Sequence, residues 1–110
     1  MNPTEIMARL ETLESDLAER QESLETAAFL FYKNKRLVEQ KLAELRLLSA
    51  GKNQLETQDN ALLKLIKSED KQLYADWITA EATYESQKLV TRVIETRVSI
   101  GQSLLRIERP

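Results

Sequence analysis

Three features of this sequence predict an all-α fold: a long antiparallel helical hairpin of the coiled-coil kind, dimerising into a helical bundle. First, apolar residues recur every seven positions, at Leu10, Leu17, Leu24, Phe31, Val38 and Leu45. Ile6, Leu13, Ala27 and Leu48 stand three or four residues from them, so both sets line one seam of one helix. Second, the 110 residues are 31% charged and 5% aromatic, with two Gly and two Pro, the profile of a single helical domain. Third, the ladder has a counterpart: Leu63, Ile66, Leu73, Trp77, Ala80, Tyr84, Ile94, Val98 and Leu105 keep one alternating three–four spacing.

Each element follows from local signals. Asn2–Pro3–Thr4–Glu5 starts a helix: Asn2 or Thr4 caps it, Pro suits the first turn, and Glu5 suits the positive end of the helix dipole. Nothing interrupts it before residue 48, so the first helix is expected over 3–48. Gly51 is expected to end it in the left-handed conformation, with Arg46 and Lys52 near the negative helix end. Residues 49–60 are polar and aperiodic and read as the connection, with a helical turn from Asp59. The second helix is expected over 61–108, with a candidate break near Ser68, where Ser68–Glu69–Asp70 resembles a fresh N-cap. Gly101 lies inside it and costs up to about 1 kcal/mol relative to Ala, tolerable where another side chain packs closely.

Folding the two ladders antiparallel yields one register that satisfies volume and polarity together. Leu45 meets Ile66, Leu48 meets Leu63, Val38 meets Leu73, Leu17 meets Ile94 and Leu13 meets Val98. Bulky Phe31 meets small Ala80, small Ala27 meets Tyr84, and Leu10 faces Gly101. Among polar seam positions Lys41 faces Asp70, Arg20 faces Thr91, and Asn34 lies beside Trp77. Charge agrees: residues 1–25 carry seven acids and two bases, and residues 86–110 carry five bases and two acids. These blocks are expected to oppose one another across the hairpin, as are the basic stretch 33–52 and the acidic stretch 53–85. Each exposed pair is worth only tenths of a kcal/mol, so the pattern sets orientation more than stability.

Several chemistries are absent. With no His and no Cys, the commonest general base, nucleophile and soft metal ligands are missing. Glu11/Glu14 and Glu22/Glu25 stand at helical spacing but lack the Glu-x-x-His of helical two-metal sites, and read as solvated faces. No enzyme activity, catalytic residue, metal, cofactor or small-molecule substrate is therefore expected. The longest uncharged run, Val98 to Leu105, is far short of the roughly 20 residues of a membrane span. The first residues show no basic-then-apolar leader, so a cytoplasmic location is expected.

Two stretches exceed what a hairpin needs. Phe29, Leu30, Phe31 and Tyr32 are consecutive and point around most of the helix. One opposing helix covers Phe31, leaving Phe29, Leu30 and Tyr32, followed by Lys33, Lys35 and Arg36, either as a local thickening of the core or as a docking surface for a larger protein partner. In the C-terminal third, Val90, Val93, Ile100, Leu104 and Ile107 widen the apolar face, which predicts self-association as a dimer of hairpins. A rival reading takes the aromatics with Lys33, Lys35 and Arg36, and with Lys88, Arg92, Arg97, Arg106 and Arg109, as a grip for single-stranded nucleic acid.

The stretches L-L-S-A-G-K-N-Q (47–54), T-A-E-A-T-Y-E-S-Q-K (79–88) and G-Q-S-L-L-R-I-E (101–108) carry a likeness. Over residues 40–108 the chain resembles small helix–loop–helix, coiled-coil hairpin proteins encoded by tailed bacteriophages. The resemblance implies a virus-encoded accessory factor, acting in the host cytoplasm in replication, recombination or particle assembly. It transfers no functional residues. Secreted hairpins of similar length carry Trp-x-Gly at the turn, whereas Trp77 stands mid-helix and Gly51 has no Trp beside it.

Overall fold

The computed structural model describes residues 2–108; Arg109, placed above among the basic residues of the second helix, lies outside them. Three helices follow one another, α1 (Pro3–Leu47), α2 (Gln54–Lys67) and α3 (Lys71–Glu108), with no strand among the described residues. The fold is an all-α helical hairpin in which α1 packs against α3. The contacts divide into two compact units, Met1–Ala27 with Tyr84–Pro110 and Ala28–Thr83, called here the terminal unit and the connection unit.

In the terminal unit α1 starts as its sequence dictates. The Asn2 side chain accepts a hydrogen bond from the Glu5 N–H at 2.9 Å, which satisfies one of the donors left open by the first turn. The seam then buries Ile6 and Ala27 from α1 and Thr91 and Val98 from α3, with Leu10, Leu13, Leu17, Leu24, Ile94 and Leu105 half-buried beside them. Gly101 faces Leu10: a Cβ built on the glycine stands 3.2 Å from Leu10 Cδ1. Thr91 satisfies its hydroxyl within its own helix, donating to the Gln87 carbonyl at 2.8 Å, while Arg20 stays exposed.

In the connection unit the core is Val38, Ala61 and Leu65, each 1% exposed or less. Lys41 Nζ of α1 and Asp70 Oδ2, in the turn just before α3, pair at 3.1 Å in the register read above. Phe31, Asn34, Leu45, Leu73, Trp77 and Ala80 are half-buried along the same face. Trp77 stacks edge-on against Tyr74 at 5.9 Å, and its Nε1 has no acceptor among the described groups, so Asn34 does not take that proton.

Around the connection the structure corrects four expectations. Helix α2 starts at Gln54, inside the stretch read as connection. Asn53 caps it, accepting from the Glu56 N–H at 2.9 Å while Thr57 Oγ1 donates to the Asn53 carbonyl. Ser68 then ends α2 and turns the chain: its hydroxyl donates to the Leu65 carbonyl at 2.8 Å and accepts from the Asp70 N–H at 3.1 Å. Because that turn resets the helical phase, α2 buries Ala61 and Leu65 and leaves Leu63 and Ile66 exposed, one or two residues out of the extrapolated ladder. Leu48 lies past the end of α1 and is exposed too, so neither the Leu45–Ile66 nor the Leu48–Leu63 pair is buried as read.

Gly51 is the fourth correction. No described residue, glycine included, has a positive φ, so α1 does not end in a left-handed glycine. Its last turn tightens instead, with Leu48 and Ser49 N–H groups donating to the Leu45 and Arg46 carbonyls. The Lys64 ammonium donates to the Leu48 carbonyl from α2, the role expected of Arg46 or Lys52.

Candidate interaction surfaces

The surface on α3 grows out of the same helical period as its core. The residues facing α1 are Thr91, Ile94, Val98, Gly101 and Leu105. One residue behind them runs a second series, Val90, Val93, Arg97, Ile100, Leu104 and Ile107, also spaced alternately by three and four. All six are exposed, the apolar ones from 37% at Val90 to 76% at Ile107. A helix that alternates in this way on two adjacent faces has two seams, and α1 fills one of them. The structure therefore gathers all five residues read as a self-association face onto one stripe, and adds Arg97 as its polar interruption.

Helix α1 contributes the edge of that stripe. Leu13 and Asp16 line a groove with Val90, Val93, Ile94 and Arg97. A neighbouring groove of about 480 Å³ is lined by Ala8, Arg9, Thr12, Leu13 and Arg97. Two arginine side chains thus line one mostly apolar hollow. Neither Arg9 nor Arg97 forms an ion pair among the described residues. Arg9 was not singled out from the sequence; the only signal available was its place beside the α1 seam, at the level where Arg97 breaks the second series.

The aromatic stretch in the connection unit divides as its spacing requires. Phe31 is half-buried, whereas Phe29 is 67% exposed and Leu30 and Tyr32 are exposed beside it. Lys33 and Arg36 share this outward surface. Lys35 is drawn away from it: the side chain is half-buried and its ammonium lies 5.9 Å from the Phe31 ring centroid. Lys88, in the terminal unit, is likewise occupied, pairing with Glu85 at 2.8 Å over the Tyr84 ring.

The electrostatics are sparse. Lys41 is held above its ordinary value of 10.5, first by its hydrogen bond to the Asp70 carboxylate and then by that group's charge. In the terminal unit Arg20, Arg92 and Arg106 make no ion pair among the described residues. The opposing charge blocks there act as diffuse fields, not as discrete bonds. Among the described residues no group of three or more carboxylates comes together as a metal site requires, and no helix is long and apolar enough to cross a membrane. Comparison with protein families, curated proteins and solved structures finds no match for the chain.

Proposed function

We propose that this chain is a non-enzymatic helical interaction and assembly module, in which the hairpin is the scaffold and the second stripe of α3 is the working surface. The observation that carries this reading is the stripe itself. Five large apolar residues at coiled-coil spacing, left in water over 90–107, are a docking face for a further helix. Either a second copy of the chain or a helix of a larger protein satisfies that demand. The surface formed by Phe29, Leu30, Tyr32, Lys33 and Arg36 supports docking of a larger partner at a separate place. The likeness to small phage-encoded hairpins supports an accessory role in a virus-infected cytoplasm.

The test replaces Ile100 and Leu104 together with Ser. Neither side chain is buried in the hairpin, so thermal unfolding is expected to move by no more than about 0.5 kcal/mol per site. Association, read as a change of mass in sedimentation or as a recovered partner in pull-downs from the native host, is expected to be lost. A large loss of thermal stability in the double variant would make the stripe part of the hairpin core and end this reading.

A further inference from the structure

A second copy meets an electrostatic obstacle on this stripe. Arg97 interrupts it between Val93 and Ile100, and Arg9 lines the same hollow. If two copies pair their stripes in parallel, each Arg97 faces its counterpart. If they pair antiparallel with the apolar residues matched, Arg97 lies against Ile100 of the other copy, and the two guanidiniums remain within one helical turn. Either arrangement draws two Arg97 side chains, with Arg9 close behind each, into a seam that is losing its water. Taking unpaired charge out of water is among the most costly steps in association. Asp16 stands in the adjoining groove yet forms no ion pair with Arg97.

We propose that the stripe receives an amphipathic helix of a different protein, one whose apolar residues match Val90–Ile107 and whose single carboxylate lies opposite Arg97, between it and Arg9. This rests on the stripe being the working surface, and it adds the chemistry of the occupant. A carboxylate supplies what the hollow lacks: an ion-pair partner for Arg9 and Arg97, which have none among the described residues. Charge-assisted pairs of this kind are among the stronger and more geometrically demanding polar contacts. One polar position in an otherwise apolar seam also fixes register and excludes wrong partners.

The experiment uses the full chain and two monomeric three-heptad peptides with Leu at the seam positions, one with Glu and one with Lys at the central position. The wild-type chain is expected to sediment as a monomer at tens of micromolar. It is expected to bind the Glu peptide about tenfold more tightly than the Lys peptide, and Arg97→Glu is expected to reverse that order. Arg97 is exposed, so circular dichroism should show the variant folded. Equal binding of both peptides, abolished by the Ile100 and Leu104 substitutions, overturns the carboxylate while leaving the stripe as an interaction surface. A wild-type dimer that the same substitutions dissolve overturns the foreign helix with the same consequence. Binding of neither peptide, with a monomeric chain, removes both this inference and the reading beneath it.

Discussion

The two glycines of this chain solve different problems, and substitution separates them. Gly51 turns without a left-handed conformation, and its N–H donates to Thr57 Oγ1 at 2.9 Å. A methyl group there stands 2.8 and 2.9 Å from Glu56 Cγ and Cβ and 3.0 Å from the Thr57 backbone nitrogen. Backbone and Cβ atoms cannot step aside, so Gly51→Ala is expected to destabilise by about 1–3 kcal/mol. At Gly101 the only close neighbour among the described residues is the terminal methyl of Leu10, 3.2 Å from the built Cβ, at the end of a rotatable side chain. Alanine is the better helix former there, so Gly101→Ala is expected to be neutral or stabilising by up to about 1 kcal/mol. The urea unfolding midpoint should therefore fall for Gly51→Ala and hold or rise for Gly101→Ala; a large loss at Gly101 would mean that Leu10 has no room to yield. The sequence places a glycine at each point of close approach, but it does not say whether the need is for a backbone angle or for space. That is why Gly101 was read correctly against Leu10 while Gly51 was assigned the wrong reason.

Among the elements, legibility follows the helical phase. Along α1 every seam residue from Ile6 to Leu45 except Arg20 is shielded from water, because nothing interrupts the period over that length. Lys41–Asp70 was readable for a related reason: Lys41 lies on the α1 seam, and Asp70 lies on the same extrapolated ladder, in the turn just before α3. The period stops being informative at Ser68–Asp70, where three residues outside any helix rotate α2 relative to α3. Leu65 then takes the place that extrapolation assigns to Ile66. The start of α2 was legible in principle, since Asn53 and Glu56 stand at the spacing of a capping pair, although the surrounding polar residues masked it. The Lys41–Asp70 pair also makes a prediction. A lysine held above its ordinary value contributes stability that is fully present below about 10.5 and is lost as pH rises through its folded-state value. Asp70→Asn should therefore lower thermal stability at neutral pH and leave it unchanged in strongly alkaline solution. Melting curves of wild type and variant that stay equally far apart across that range would show that the pair does not titrate as described.

For the molecule as a whole, the question is which surfaces speak to other molecules, and sequence periodicity answers it only in part. It marked Val90, Val93, Ile100, Leu104 and Ile107 as surplus to a two-helix seam. It did not show that Arg9 and Arg97 share a hollow at the edge of their stripe, because that requires knowing how α1 and α3 lie together. The rival use of the surface, gripping single-stranded nucleic acid, depends on cations that are available and on a favourable net field. The chain carries a net charge of −2, and Lys35 is half-buried toward the Phe31 ring. Lys88 is paired with Glu85, which leaves Lys33 and Arg36 as the exposed bases beside Phe29 and Tyr32. Each phosphate neutralised on a single strand contributes about −0.7 to the slope of log affinity against log salt. The two cations of the aromatic patch give a slope of only about −1.4, so phosphate contacts there add little affinity and binding at that patch would rest on stacked bases. Labelled oligothymidine titrated at low salt is accordingly expected to show no saturable binding. Tight binding with a steep salt slope, weakened by Tyr32→Ala together with Lys33→Ala, would instead place the function of this chain on the aromatic patch and not on α3.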